Sequence, residues 1–352
     1  MKKMLMFAAL AAALSLAGCK KTPQSAFAPR LDLSKAVDAT RWLDNLDDAK
    51  IAAHQSGKDI ILLFSADDQD HFSRMLKDSL LDSEAFIADI TRDYVLVNLD
   101  FSSGLYEQSA EDEAIAAALE ANMKLATVYG IEITPSFFLL SKEGYPITPL
   151  FYDDTLRTAE EFRDEIAQEG EAIAAFRAVY ERIGTGSNED KVRAIDDLYG
   201  LADPRQTYLL APLAEQVLAL DPTNKTGLLG KYALALADAQ ATDAALDNDP
   251  ERMTEAFAAA AENKYLTPDE RQQAYYYAGY FLAGVGDPDY EQIKGYLQKS
   301  IDAAPDSEQA PQIARLLQMI DAHAEGLLGE EADAPVPAEA GDGADVSTFT
   351  VE

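Results

Sequence analysis

The chain has 352 residues, which is enough for about two domains of ordinary size. Hydrophobic residues make up 48% and charged residues 26%, values that exclude a wholly disordered protein. Acidic side chains outnumber basic ones 62 to 29 and give a formal net charge of −33, so phosphate backbones would repel the chain and we expect no nucleic-acid partner. The single cysteine excludes an intramolecular disulfide and a cysteine-rich metal site, and the three histidines argue against a multi-histidine site. We therefore predict neither a metal nor a cofactor.

The first 19 residues have the layout of a secretory signal. Two lysines at positions 2–3 precede an apolar run over residues 5–16, which is shorter than the roughly 20 residues that a membrane-spanning helix needs. Residues 16–19 read LAGC and resemble a bacterial lipobox. In that family the cysteine thiol is acylated, the preceding peptide is removed, and the new amino terminus is acylated as well. The resemblance implies lipidation of Cys19, and the alternative is an ordinary signal peptide with a chance cysteine.

Such an anchor would place the mature chain in a bacterial cell envelope. Several acyl chains give stable membrane attachment, whereas a single chain gives only marginal binding. The residue after the cysteine is Lys20, and in enterobacterial lipoproteins a residue other than aspartate at this position permits delivery to the outer membrane. Other bacteria follow other rules, so a periplasm-facing position on the inner membrane stays open. We expect a membrane partner through Cys19.

Changes in composition divide the chain into six predicted segments. Prolines and polar residues mark a tether, the sequence GTGSN at 184–188 marks a linker, and the last residues are rich in acids, proline and glycine, as disordered tails are. The predicted segments are a signal peptide (1–18), a lipidated tether (19–35), an α/β domain (36–168), a connecting helix and linker (169–188), an α-helical domain (189–328) and a disordered acidic tail (329–352).

The α/β domain alternates amphipathic and uniformly apolar stretches. Trp42, Leu46 and Ala49 share one face of the first predicted helix. Thr158 begins the closing helix and forms a capping box with Glu161. Helices are also expected from residue 72 onward and near 111–127, and short apolar runs predict strands at 59–65, 94–101, 136–140 and 145–152.

Four stretches within residues 36–168 resemble the thioredoxin-like proteins of bacterial cell envelopes. They are Trp42, the strand segment GKDIILLF at 57–64, the triplet Asn98-Leu99-Asp100, and the segment YGIEITPS at 129–136, which precedes another strand. The resemblance implies a thioredoxin-like α/β fold for this part of the chain.

The family's redox motif is changed in this sequence. In thioredoxin-like oxidoreductases a Cys-x-x-Cys pair opens the helix after the first of these strands. Here Asp70, His71, Phe72 and Ser73 occupy the four positions, so both sulfurs are absent, and the resemblance implies a domain without thiol–disulfide exchange. We predict that Asp70 caps the helix. The alternative is a new catalytic role for Asp70, His71 or Ser73, which would need a third group to orient the histidine.

The Thr134-Pro135 pair resembles the cis-proline loop of the same family. In the family this loop lies beside the redox site and receives extended peptides, and backbone pairing of that kind needs no thiol. We predict a peptide-binding groove between this loop and the degenerate redox motif, with Phe72 and Tyr129 in apolar contact with the peptide. The alternative is a turn that conserves the fold and binds no ligand.

The second half of the chain is predicted to be entirely helical. Prolines divide residues 189–326 into helices of roughly 12–17 residues, and three similar segments end at Pro222, Pro268 and Pro305, at intervals of 46 and 37 residues. These intervals are near the 34 residues of tetratricopeptide repeats. The small residue Gly279, preceded by alanine, resembles the close-approach position in the first helix of such a repeat. The predicted fold class is a thioredoxin-like α/β domain followed by an all-α tetratricopeptide-like domain.

The densest aromatic cluster of the chain lies in this helical half. It consists of Tyr275, Tyr276, Tyr277, Tyr280 and Phe281. On a helix, residues four apart share a face, so part of the cluster is expected in the core. The alternative is a concave peptide-binding surface of the kind that helical solenoids use.

These features favour a lipid-anchored envelope protein that binds or scaffolds proteins or peptides without redox chemistry. Two other functions stay open. One is an envelope enzyme or isomerase that uses groups other than cysteine on the thioredoxin scaffold, and the other is a chaperone that holds envelope clients.

Overall fold

The computed structural model of the chain describes Phe27 and residues 31–66, 71–151, 156–285 and 288–324. Cys19, Asp70 and the acidic tail lie outside the described residues. The α/β part consists of α1 (Leu46–Ser56), β1 (Asp59–Ser65), α2 (His71–Leu76) with a π-helical turn (Lys77–Leu81), α3 (Glu84–Ile90), β2 (Tyr94–Asp100), α4 (Ser103–Ser109), α5 (Glu113–Val128), β3 (Ser136–Leu140), β4 (Pro146–Leu150) and α6 (Ala159–Gln168).

Four strands form one mixed sheet in the order β2-β1-β3-β4. Strand β1 pairs parallel with β2 and antiparallel with β3, which in turn pairs antiparallel with β4. Side chains alternate between the two faces of a strand, so Ile60 and Phe64 pack against α1 while Ile61 and Leu63 pack against α2, α3 and α6. Because both faces are covered, β1 is apolar from Ile60 to Phe64.

The four predicted strands are confirmed, but two helix predictions need correction. Trp42 lies before α1, because Asn45 caps that helix with its side-chain oxygen and the helix begins at Leu46. The Trp42 indole N–H instead donates to the carbonyl of Leu81 (2.9 Å), and its ring stacks on Phe86 at 6.5 Å. The short helices α3 and α4 were not predicted from the sequence. Trp42 therefore fixes the turn before α3 to the core.

The remaining described residues are helical and contain no strand. The elements are α7 (Gly170–Gly184), α8 (Asn188–Tyr199), a 3₁₀ segment (Pro204–Leu210), α9 (Ala211–Leu220), α10 (Leu229–Leu246), α11 (Pro250–Ala261), α12 (Pro268–Ala283), α13 (Tyr290–Ala303) and α14 (Ala310–Ala324). Each helix from α7 to α14 packs on the next along the chain. This confirms the fold class of a thioredoxin-like domain followed by an all-helical region.

Prolines and a glycine have clear structural roles in the helical region. Pro250 and Pro268 stand in the first turn of α11 and α12, where the missing backbone N–H costs nothing. Gly279 faces α13, and a Cβ atom there would lie 3.3 Å from Tyr296 Cβ. A larger residue would therefore push α12 and α13 apart.

The helical region is joined to the sheet by a shared core. Helix α7 packs on both β4 and α8, and Tyr145, beside β4, belongs to the same apolar cluster as Phe176 of α7 and Tyr232 of α10. Ser187, in the predicted linker, is the N-cap of α8. None of the described helices is long and apolar enough to cross a membrane.

Candidate functional site

The Thr134–Pro135 loop lies at one end of the sheet. Its peptide bond is cis, and β3 begins at the next residue. Ser136 pairs with Phe64 near the carboxyl end of β1. The strand register therefore brings the loop beside the segment that leaves β1 and enters α2, which carries the degenerate redox motif.

The loop presents one apolar side chain to solvent. Pro135 is buried and Thr134 half-buried, whereas Ile133 is 74% exposed. The hydroxyl of Ser136 donates to the carbonyl of Ile133 at 2.7 Å, which fixes the backbone at this point. The arrangement offers an apolar contact next to backbone that could pair with an extended chain.

The degenerate motif is only partly described. The backbone of His71 and Phe72 forms the start of α2, and nothing is described of their side chains. Ser73 is described and is only 2% exposed. A substrate approaching from solvent would not reach this hydroxyl without a local movement, so the geometry gives no support to Ser73 as a nucleophile. The described residues also contain no cluster of acids, histidines and cysteines able to hold a metal ion.

The polar residues at the ends of β1 and β2 have structural partners. The Ser65 hydroxyl donates to Asn98 Oδ1 at 2.9 Å, and the Phe101 amide donates to the Ser65 carbonyl at 2.7 Å. Ser102 donates to Asp100 through both its amide (2.9 Å) and its hydroxyl (3.0 Å). The Asn98–Asp100 triplet therefore holds the strand ends together.

The prediction that Tyr129 contacts a bound peptide is wrong. Tyr129 is 3% exposed, and its ring lies 5.4 Å from that of Phe64 and 4.8 Å from that of Phe138. Burial raises the pKa of its hydroxyl, which has no hydrogen-bond partner among the described residues. Tyr129 is a core residue because α5 ends directly over the sheet.

The aromatic cluster of α12 is mostly core. Tyr275 and Tyr277 are buried, and the Tyr277 ring lies 5.0 Å from that of Phe257 on α11. Tyr280 is 40% exposed and stacks on the half-buried Tyr276 at 6.5 Å. Only one edge of the cluster is therefore open to a partner.

A cavity of about 600 Å³ in the helical region was not predicted from the sequence. Its walls come from the amino-terminal segment, the 3₁₀ segment, α10 and α11. The lining residues are Phe27, Tyr208, Gln240, Asp243, Arg252, Glu255, Ala256 and Ala259. Phe27 lies more than 180 residues before the other lining residues along the chain, so no local sequence pattern could reveal the cavity.

Charged side chains beside this cavity connect the two parts of the molecule. Lys124 of α5 contacts Asp247 at 2.7 Å, and Arg252 of α11 contacts Asp247 and Asp243 at 2.9 Å each. Hydrogen bonds from Lys124 and Arg252 hold the pKa of Asp247 below its usual range. Burial, followed by the nearby Asp243 carboxylate, raises the pKa of Tyr208. Lys124 therefore ties α5 of the α/β domain to the end of α10.

Asp238, on α10, is a partly buried carboxylate that was not predicted from the sequence. Its side chain is only partly exposed, and burial raises its pKa to about 6. Its charge in turn contributes to the raised pKa values of Tyr199 on α8 and Tyr277 on α12. The carboxylate of Asp238 therefore lies near both tyrosines, and no cation among the described residues offsets the effect of its burial.

Two protein-family models match separate parts of the chain. Residues 46–168 match a family model described as a thioredoxin-like domain, and residues 228–326 match one described as an uncharacterised protein C-terminal domain. A thioredoxin-like domain followed by a helical carboxyl-terminal domain is thus the class of protein that fold and sequence define.

Two individual proteins are similar to this chain. An uncharacterized protein of Treponema pallidum (strain Nichols) is 22% identical over 234 residues, which are 66% of this chain and 76% of that protein. The solved structure of DsbH oxidoreductase is 17% identical, covering 40% of this chain and 88% of its own, at a TM-score of 0.31.

Proposed function

We propose that the protein is a lipid-anchored component of a bacterial cell envelope that binds proteins or peptides without redox chemistry. The observation that carries the proposal is a thioredoxin-like scaffold whose Thr134–Pro135 loop lies beside the carboxyl end of β1, in a chain whose only cysteine is Cys19. The scaffold keeps the backbone that can receive an extended peptide, while the thiolates needed for disulfide exchange are missing. Binding is therefore the activity that this site supports best.

The chemistry of the loop indicates how a peptide would be held. Peptides that add to an exposed backbone gain affinity from main-chain hydrogen bonds and specificity from side-chain contacts. At this site the backbone is that of Thr134, and the exposed apolar contact is Ile133. We expect an extended segment with an apolar residue that packs on Ile133.

Replacement of Ile133 by alanine is expected to reduce capture of a partner at least fivefold in cells. The measurement is photo-crosslinking from a photoreactive residue placed at Thr134, followed by quantification of the adduct. Leu33 is 53% exposed, and its carbonyl accepts from Gln55 near the end of α1, at the opposite end of β1 from the loop. Leu33→Ala is therefore the matched control and should leave the adduct unchanged. Pro135→Ala should also reduce capture, provided that circular dichroism shows a folded protein.

The alternative binding surface is the exposed edge of the aromatic cluster on α12. If capture survives Ile133→Ala and Pro135→Ala but is lost in Tyr280→Ala, the helical region is the binding surface. That outcome would contradict the assignment of the loop, since Tyr280 is the exposed member of the α12 aromatic cluster.

Lipidation is expected at Cys19. Metabolic labelling with a fatty-acid analogue should label the natural protein and move it to the membrane fraction. The Cys19→Ser variant should remain unlabelled. A matched control, Cys19→Ser combined with Ser25→Cys, keeps one thiol but displaces it from the LAGC sequence and should also remain unlabelled. Equal labelling of the natural protein and Cys19→Ser would show that no anchor is attached at this position.

A further inference from the structure

Phe27 packs against the helical region, although the residues that it contacts there are distant in the sequence. Its ring meets that of Tyr208 edge-to-face, with 6.3 Å between the ring centroids. Both rings line the cavity of about 600 Å³, and Phe27 also belongs to the apolar cluster that includes α8, α9 and α10. An edge-to-face pair at this distance is a favourable aromatic contact.

We propose that this cavity is the docking site for residues 20–30 of the chain's own tether, with Phe27 as the aromatic anchor. The docking concerns how the proposed membrane anchor is joined to the folded part. It does not require acylation, so it can fail or succeed independently of the lipid at Cys19.

Chain connectivity makes the tether the occupant. Consecutive Cα atoms are about 3.8 Å apart, so covalent linkage to Phe27, which lines the cavity, gives the tether a high effective concentration at this site. The space that the cavity leaves is large compared with one side chain. The flanking tether residues are therefore the groups best placed to fill it.

Charge complementarity supports the same occupant. Residues 20–30 of the tether carry three positive charges, on Lys20, Lys21 and Arg30, and contain no acid. The cavity wall includes Glu255, which is exposed and has no ion-pair partner among the described residues, whereas Asp243 is already paired with Arg252. Glu255 is therefore the carboxylate available to a basic tether residue.

Docking would determine how the molecule lies on a membrane. Seven residues lie between Cys19 and Phe27, so an extended chain of eight Cα–Cα steps would hold the cavity within about 28 Å of the acylated cysteine. A tether free up to Leu33, whose carbonyl accepts from Gln55, would reach about 50 Å. The docked tether would orient the α10–α11 side of the helical region toward the membrane. The Thr134–Pro135 loop would then lie at a fixed distance from the membrane surface.

Hydrogen–deuterium exchange tests the docking directly. The protein is the mature chain with Cys19→Ser, so that acylation plays no part. Amides of residues 24–28 should exchange at least tenfold more slowly than in an unstructured peptide, and Phe27→Ala should remove this protection. The matched control Gln24→Ala should retain it. Exchange of these amides at the unstructured rate in the Cys19→Ser parent protein would overturn the proposal.

A synthetic peptide of residues 20–30 then identifies the cavity as the site. The Phe27→Ala protein, whose own tether has lost its anchor, should bind the labelled peptide at least tenfold more tightly than the parent protein, in which the tether competes at high effective concentration. Adding Glu255→Lys to the Phe27→Ala protein should weaken this binding at least threefold. Equal binding to both proteins, or no binding to the Phe27→Ala protein, would overturn the assignment.

Discussion

Replacement of Gln272 by alanine is expected to destabilise the helical region by about 3 kcal/mol, because it breaks a buried hydrogen-bond network. Gln272 is 1% exposed on α12. Its side-chain amide nitrogen, Nε2, donates to the carbonyls of Ser300 (3.2 Å) and Ala304 (3.0 Å). The Ser307 hydroxyl donates to the amide oxygen, Oε1, at 2.6 Å. The side chain thus holds α12 against the end of α13 and the turn before α14.

The expected size follows from the groups left behind. Two buried carbonyl groups and one hydroxyl would lose their partner, and each unsatisfied buried polar group costs about 1–3 kcal/mol before local relaxation or water entry. Urea unfolding followed by circular dichroism measures the change. Gln272→Met keeps most of the volume, so a similar loss in that variant would show that hydrogen bonds rather than packing are responsible.

Gln298→Ala is the matched control for this experiment. Gln298 is exposed on α13, and its amide contacts Asp302 on the same helix. Its replacement should change the free energy of unfolding by less than about 0.5 kcal/mol. If Gln272→Ala changed stability as little as this control, the network would not hold the three helices together.

The sequence predicts those parts of the fold that depend on local patterns. The apolar run of β1 identifies a buried strand because alternate residues face two covered sides. The capping box between Thr158 and Glu161 places the start of α6 correctly. Another capping box, from Thr267 to Glu270, marks the start of α12 and could have been recognised in the same way.

The sequence does not predict features that depend on packing between distant segments. Tyr129 stands in a motif next to the loop, yet its ring enters the core because α5 crosses the sheet there. Gln272 has no pattern that distinguishes it from its neighbour Gln273, since its partners come from α13 and the following turn. For the same reason the cavity lined by Phe27 needs the folded chain to be seen.

Asp238→Asn is expected to stabilise the protein by about 2 kcal/mol at pH 7.5. Burial raises the pKa of Asp238 to about 6 in the folded protein, whereas an aspartate in an unfolded chain has a pKa of about 3.9. The folded state therefore binds this proton more tightly, and stability is lost as the pH rises through the interval between the two values. The full separation corresponds to about 3 kcal/mol, and partial exposure to water reduces the expected effect.

The pH dependence distinguishes this effect from a simple change in packing. Below about pH 3 the aspartate is protonated in both states, so Asp238→Asn should show no stabilisation from this charge. The stabilisation should then grow between about pH 3 and 6 and become constant above about pH 7. Tyr199 and Tyr277, which face Asp238 from α8 and α12, have raised pKa values and stay neutral throughout this range, so their titration does not contribute.

Urea unfolding at a series of pH values measures this difference, with Asp306→Asn as the control. Asp306 is exposed in the turn between α13 and α14, and its replacement should change the free energy of unfolding by less than about 0.5 kcal/mol. Carboxyl carbon resonances in an NMR titration report the pKa of Asp238 directly. A measured pKa near 4, or a stabilisation that does not vary with pH, would show that water or a cation reaches the carboxylate. A pKa near 6 would show instead that the packing of α8, α10 and α12 maintains a buried charge that no side chain among the described residues neutralises.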